Sequence, residues 1–269
     1  MHNLHGRFKT DSMLCSSCFA DRPTKSLELD LSKYRIQGDF KRLDCRVCGN
    51  FVAIQSGEDI IKVDGEIDIH FQQRKNLSAG KEDSWCEVND SFFPAYFLCY
   101  LSISQAKTEK ERIVYYALSQ IVYPERDAPN GDKFESMYDF ADESDLVMLR
   151  WKSGIPIGFY TLKRKGSLIS MTNEEYSMPT LDTAYIRSEY RRRGIGIEIL
   201  ENITQMFPEE EIGLSRPISD AMWKVLEKFL TTNKAVRLKF WEIEDGGNEG
   251  NRKLIWFMLK KRKSNSSFE

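Results

Sequence analysis

The chain has no long hydrophobic run: its longest, residues 92–101, is about half of the ~20 residues that a membrane-spanning helix needs. The first thirty residues also lack an apolar stretch of the length found in a secretory signal, so a protein of the cytoplasm or nucleus is expected. Neither sign of charge is in excess. Lys and Arg number 39 against 41 Asp and Glu, a formal −2, which gives no global pull toward nucleic acid or an anionic membrane and argues against a nucleic-acid partner. Histidine is scarce, and His2, His5 and His70 have no spacing that suggests a site. Internal repeats and long low-complexity tracts are absent, so the organisation has to be read from hydrophobic period and breakers.

What the chain does have is apolar and aromatic content, 41% and 12% of 269 residues, enough to bury a substantial core. Six cysteines lie at 15, 18, 45, 48, 86 and 99. Cys15-x-x-Cys18 and Cys45-x-x-Cys48-Gly49 supply four thiolates in two knuckle-sized pairs, the donor set of a tetrahedral structural zinc, against unligated or redox-active thiols as the alternative. A polar stretch of this size has little core of its own, which a metal would make good. Residues 1–55 are therefore expected to be a cysteine-rich module of the zinc-ribbon kind, with short strands such as 26–31. Cys86 and Cys99 stand alone beside aromatic residues and suit buried apolar positions.

Residues 56–260 form the larger expected domain, with a basic, polar tail after it at 261–269. The first part of that domain is mixed, with a strand near 67–71 and helices at 92–101 and 109–122, the second carrying Ile113, Tyr116, Ala117 and Ile121 at helical spacing. Residues 125–145 hold eight acidic residues against Arg126 and Lys133 and suit a surface loop, one that can draw a cationic acceptor. From 145 the pattern alternates: strands at 146–151, 157–162 and 181–187, a helix at 194–206, a strand at 212–214, a helix at 220–231, and strands at 235–243 and 254–259. That order is mixed α/β. The run Lys260-Lys261-Arg262-Lys263 suits either a nuclear localisation signal or a solvated terminus.

The segment Tyr190-Arg191-Arg192-Arg193-Gly194-Ile195-Gly196-Ile197 comes after a strand and opens a helix with Ile195, Ile199, Leu200 and Ile203 on one face. Two glycines let backbone N–H groups close on an anion, and the helix start adds its dipole. Three arginines at a helix N-terminus oppose that dipole unless an anion is drawn in.

This pattern, R/Q-x-x-G-x-G/A between an apolar strand and an apolar helix, resembles the coenzyme A signature of the GNAT N-acetyltransferase superfamily, with Arg191, Gly194 and Gly196 matching it. The order of elements over 145–260 resembles that fold as well. The resemblance implies a GNAT-like mixed sheet flanked by helices, preceded by the small cysteine-rich module, and an acetyl-CoA site made by Arg191, Arg192, Arg193, Gly194, Ile195 and Gly196. It further implies that Ala184, Tyr185 and Ile186 lend backbone groups to the acyl arm, with Ser219 where the family often has an asparagine. Asp182 is the carboxylate nearest the implied reacting centre and the candidate base; a turn aspartate bonded to nearby backbone is the alternative. The tyrosine acid of many members aligns with Leu226, which cannot donate a proton, and Tyr160, Tyr176 and Tyr185 are the remaining hydroxyls.

The stretches 157–160, 178–183, 190–191 and 213–217 also resemble the soluble lamin-associated protein family of animals, to which the paired cysteines do not belong. The GNAT resemblance implies an acetyl-CoA-dependent N-acyltransferase acting on an amine, of a protein or a small molecule. The alternative is an inactive GNAT-fold binding or scaffold protein associated with the nuclear envelope.

Overall fold

The computed structural model describes residues 15, 17–18, 24–57, 59–63, 84–87, 105–152, 155–169 and 172–266. The strand expected near 67–71, the helix expected at 92–101, and the burial of Cys86 and Cys99 lie outside what it describes. Two sheets are present among the described residues. Strands β1 (Thr24–Leu29), β2 (Phe40–Cys45), β3 (Phe51–Ser56) and β4 (Asp59–Lys62) form an antiparallel meander in that order. The second sheet has seven strands in the order β11-β10-β9-β8-β7-β6-β5. Its members are β5 (Ser84–Glu87), β6 (Leu146–Lys152), β7 (Ile155–Lys163), β8 (Thr180–Ile186), β9 (Ile212–Ser215), β10 (Phe240–Ile243) and β11 (Arg252–Leu254). β9 runs parallel to both β8 and β10; the other pairs are antiparallel. The expected mixed α/β class, a sheet flanked by helices, is what forms.

Strand alternation divides the large sheet into two apolar faces. Leu146, Met148, Tyr160, Leu162 and Leu181 look to one side, where they meet α3 (Ile195–Met206), α4 (Asp220–Thr232) and α5 (Ile255–Ser266). The helices present Ile199, Leu200 and Ile203, then Trp223, Leu226, Phe229 and Leu230, at three- and four-residue spacing. Val147, Leu149, Trp151, Phe159 and Tyr185 look to the other side, against a helix that runs as α1 (Gln105–Tyr116), a π-helical stretch (Ala117–Val122) and α2 (Tyr123–Arg126). Pro124 accounts for the π stretch: it has no N–H to give and its ring crowds the preceding turn. The wider turn, closed by Tyr123 N–H on Leu118 O, accommodates it.

The small sheet joins this second core. Phe40, Phe51, Ile54 and Ile61 pack in one cluster with Ile113, Leu118 and Phe159, so the cysteine-bearing strands share their apolar face with the rest of the molecule.

Three expectations are corrected. The strand expected at 235–243 is extended only over Phe240–Ile243, with a 3-10 turn at Lys234–Val236 before it. Residues 254–259 are not a strand: only Arg252–Leu254 is extended, and α5 begins at Ile255. A short run apolar on all sides carries no period, and Ile255 and Leu259 bury as a helical pair. The basic run thereby falls on a helix, where Arg262 lies 4.6 Å from the Trp223 ring and Lys260 5.4 Å from that of Trp256. The acidic segment 125–145 is not simply a surface loop. Tyr138 stacks on Tyr123 at 4.5 Å and Phe140 packs on Tyr115 at 4.8 Å, while Phe134 and Met137 stay exposed. Aromatic residues spaced among charges dock the segment on the core.

Its last carboxylate is buried outright. Asp145 Oδ2 accepts from Lys163 Nζ at 2.7 Å and from Asp142 N–H at 2.9 Å, while its other oxygen has no partner among the described residues. Burial pushes the Asp145 carboxyl up, to about 6, against the pull of Lys163. Burial works to lower Lys163 in turn, but its bonds to Asp145 and Asp142 outweigh it and hold the ammonium charge. Removing one partner of such a pair leaves an uncompensated buried charge. Lys163→Met is expected to destabilise the protein by about 3 kcal/mol at pH 7 in urea unfolding. The deficit should shrink toward pH 5, because Asp145 in the variant, without the Lys163 charge to hold it down, takes up its proton at a higher pH than in wild type, while the unfolded chains do not differ. A deficit that does not change between pH 7 and 5 would show that Asp145 is not held charged by Lys163.

Candidate functional site

β8 and β9 pair at only two positions, Thr180 with Gly213 and Leu181 with Leu214, and then part. From residue 182 onward β8 keeps β7 on one side and has an open edge on the other. Arg187 N–H donates to Ile157 O across to β7, so by antiparallel alternation 185 and 183 also turn their backbone groups to β7 while Ala184 and Ile186 turn theirs to the opening. The Ala184 carbonyl accepts from the Tyr138 hydroxyl at 3.1 Å, and that of Ile186 from Arg191 Nε at 2.8 Å. Of the three residues expected to lend backbone groups, two therefore face the opening. Tyr185 does not: its backbone bonds toward β7 and its ring is in the core.

Asp182 sits at the root of the opening. The β7–β8 register jumps between Thr183 and Leu181, so Asp182 is the extra residue of a bulge, a device that re-aims a side chain. Its Oδ1 accepts from the Ser215 hydroxyl at 2.7 Å, the last residue of β9, and the pair bridges the two strands where they separate. Tyr176 lies near it; burial, and after it the Asp182 charge, pushes its phenol up. The other two tyrosines are committed elsewhere. Tyr160 donates to Asn202 on α3, and Tyr185 donates to Asp127 at 2.8 Å. Leu226 is fully buried in the core under α4. Ser219 accepts from Met222 N–H at 3.3 Å and serves as the N-cap of α4.

The arginine-glycine loop leaves β8 through a single 3-10 turn, Ser188–Tyr190. Arg192 and Gly194 are left-handed, with φ of 66° and 91°, and Gly194 caps α3 without a side-chain acceptor. The N–H groups of Ile195 and Gly196, in the first turn, have no intrahelical acceptor. The two glycines differ in kind. A Cβ on Gly194 would meet nothing within 4 Å, whereas one on Gly196 would lie 2.9 Å from Val225 Cγ2, so Gly196 is required by the packing of α3 on α4. All three arginines are exposed. Arg193 donates to Glu189 O at 3.1 Å and Arg191 is anchored at Ile186.

Sequence patterns passed over the support under this loop. Asp127, directly after α2, accepts from Ser188 N–H and from the Tyr185 hydroxyl, both at 2.8 Å, and its Oδ2 lies 3.8 Å from Arg191. One acidic residue within an acidic run carries no signal of such a role.

The four expected metal ligands do converge. The sulfurs of Cys15, Cys18, Cys45 and Cys48 lie within 4.8 Å of one another, with 3.5 Å between Cys15 and Cys48 and 3.6 Å between Cys18 and Cys45. A tetrahedron of thiolates at about 2.3 Å from zinc has edges of about 3.8 Å. The second pair has the form of a knuckle: Val47 N–H points at Cys45 Sγ, Gly49 N–H bonds Cys45 O, and Gly49 takes the left-handed φ of 76°. Burial pushes the Cys15 thiol up, but N–H donation from Cys18 and Ser17 overrides it and brings it down to about 6. N–H donation from Cys48 and Val47 likewise lowers Cys45. The donor set and spacing fit zinc.

No protein-family model matches the chain. It is 36% identical over 154 residues to Protein FAM169B of Mus musculus, covering 55% of this chain and 45% of that protein. It is 33% identical over 118 residues to Protein FAM169BP of Homo sapiens, covering 42% and 60% respectively. The chain thus spans about half the length of these curated relatives. A ribosomal-protein-alanine N-acetyltransferase from Brucella melitensis biovar Abortus 2308 is similar over 33% of this chain and 65% of its own, at 16% identity and a TM-score of 0.24. A TM-score that low lends no weight to fold or activity. No described helix is long and apolar enough to cross a membrane.

The cysteine geometry yields a direct expectation. Elemental analysis of the purified protein should find about one zinc per chain, reduced in Cys45→Ser, and stripping the metal with a chelator should lower the thermal midpoint. Metal-free protein with an unchanged midpoint would show that the small sheet stands on its shared core alone.

Proposed function

We propose that the chain binds acetyl-coenzyme A in the opening between β8 and β9 and transfers its acetyl group to an amine. The observation that carries this proposal is the parting of the two strands beyond Leu181 and Leu214, beside a loop that turns two free N–H groups at the start of α3. In this arrangement the first turn of α3 and Arg192 would take the pyrophosphate, with Arg191 and Arg193 adding charge at the rim. The N–H groups of Ala184 and Ile186 would hold the acyl arm along the strand. When bound, the thioester supplies the acyl group and a thiolate leaving group.

Asp182, held by Ser215 at the root of the opening, is suited to take the proton from an incoming ammonium so that the amine can attack. Tyr176, which retains its proton under the influence of burial and the Asp182 charge, is the hydroxyl available to return one to the departing sulfur. Carboxylates of the 125–145 segment favour a cationic acceptor. Zinc on the four cysteines would have a structural part, with no open ligand position for chemistry.

A second proposal draws on the core position of Leu226 and on the bonds that occupy Tyr160 and Tyr185. With those donors gone, the chain would bind coenzyme A without turnover, as a scaffold of the kind the lamin-associated resemblance suggests.

Calorimetric titration with acetyl-coenzyme A tests the shared premise. Micromolar binding is expected, falling at least tenfold in the Arg192→Glu, Arg193→Glu double variant, whose positions are exposed and leave the fold intact. A folded wild type that does not bind would overturn both proposals. Asp182→Asn then separates them: transfer to a panel of primary amines should fall about 10²-fold with affinity unchanged. Equal turnover by the variant would remove Asp182 from the chemistry, and no turnover by wild type would favour the scaffold.

A further inference from the structure

Asp127 is oddly positioned for an ordinary helix-terminal residue. It comes just after the last turn of α2, where a negative charge opposes the helix dipole. Its side chain is only 7% exposed, and its ion pair with Arg191, at 3.8 Å, is longer than its hydrogen bonds. What Oδ2 does hold, at 2.8 Å each, is the hydroxyl of Tyr185 and the backbone N–H of Ser188. These belong to the end of β8 and to the first residue of the turn that leads into the arginine-glycine loop. A single carboxylate oxygen therefore fixes the point at which the chain leaves the sheet.

The carboxylate is itself held from behind. Glu125 receives both terminal nitrogens of Arg42, at 2.5 and 2.8 Å, and Arg42 also donates to Asp44 at 2.7 Å. Arg126 donates to Phe51 O at 2.7 Å. Both residues preceding Asp127 are thus tied to β2 and β3, and Asp44 adjoins the ligand-type residue Cys45. A continuous set of bonds runs from the cysteine knuckle, through the two strands and the end of α2, to the root of the loop.

We infer that Asp127 is a positioning residue for the arginine-glycine loop and that the four-cysteine sheet, acting through Arg42 and Glu125, sets where Asp127 stands. The loop's use for coenzyme A rests on the function proposed above; its positioning does not. Two sheets that share a core would then also share a control point, with order in the small sheet transmitted to the anion-facing turn of the large one.

Hydrogen exchange of the ligand-free protein, read on the peptide covering 188–193, tests the positioning directly. Asp127→Ala should exchange there about tenfold faster than wild type, with other core peptides unchanged. Asp127→Asn should restore slow exchange, because its amide oxygen can accept the same two bonds without the charge. Unaltered exchange in the alanine variant, or an asparagine variant as fast as alanine, would overturn the inference. Arg42→Met, which frees Glu125, should speed the same peptide, and no effect there would overturn the role of the sheet. Titration with coenzyme A forms the second arm. Affinity about tenfold weaker in Asp127→Ala and restored in Asp127→Asn is expected, and alanine binding as tightly as wild type would overturn the link from position to ligand. A wild type that fails to bind would refute the coenzyme A proposal while leaving the exchange result to decide the role of Asp127.

Discussion

The open edge of β8 is the constraint around which the rest of the structure is arranged. A strand set between two helical layers has backbone carbonyls to satisfy, and beyond Leu181, where most of β8 is half-buried, its β9 partner is gone. The molecule meets that demand with side chains: Tyr138 arrives from the acidic segment to cover Ala184, and Arg191 folds back from the loop to cover Ile186. Both groups need an element of their own to deliver them. The acidic segment is docked by its aromatics, and the loop is held by Asp127 beneath it. The carbonyls of the edge are thereby covered, while its N–H groups remain turned to the opening as a surface of donors.

How much of this the sequence discloses depends on the range of the interaction. Apolar period disclosed the central strands and α3 and α4 to within a residue or two, because Leu146, Phe159, Ile199 and Trp223 point inward at spacings that only one kind of element allows. It failed at residues 254–259, where apolar residues occur without a period and the tertiary partner decides. The convergence of the four cysteines was legible because two Cys-x-x-Cys pairs have the spacing that a tetrahedral metal site uses. The partnership of Asp182 with Ser215 was not, since it joins residues 33 apart across two strands whose separation no local pattern encodes. Gly196 was legible as necessary, and a physical reason that the sequence does not show lies in Val225 on the neighbouring helix, 2.9 Å from where a Cβ would stand.

The small sheet illustrates the same point at larger scale. Taken by itself, a polar segment with four cysteines appeals to a metal for its stability. In the folded molecule its Phe40, Phe51 and Ile54 are continuous with a core supplied mainly by the helix through residues 113–123, and Arg42 and Phe51 O are bonded to that helix's end. Two clusters thus act on one sheet: Phe40, Phe51 and Ile54 belong to the shared core, while Cys15 and Cys45 are buried with Leu43, Val52 and Ala53 in a smaller cluster of the sheet's own.

The cover over Ala184 has a consequence for anything laid along β8. Burial keeps the Tyr138 phenol protonated, and stacking on Tyr123 fixes its ring, so its hydroxyl can act at Ala184 O only as a donor. One lone pair of this carbonyl is thereby engaged, and one of the Ile186 carbonyl is engaged by Arg191. A bound chain that tried to pair with β8 as another strand would have to reach the second lone pair past the Tyr138 ring and the Arg191 guanidinium. A ligand in the opening would meet the backbone N–H groups of Ala184 and Ile186 along the strand and the Asp182 carboxylate at its root. Anything laid along the edge that β9 leaves open would therefore have to share or displace the bonds that Tyr138 and Arg191 already make there.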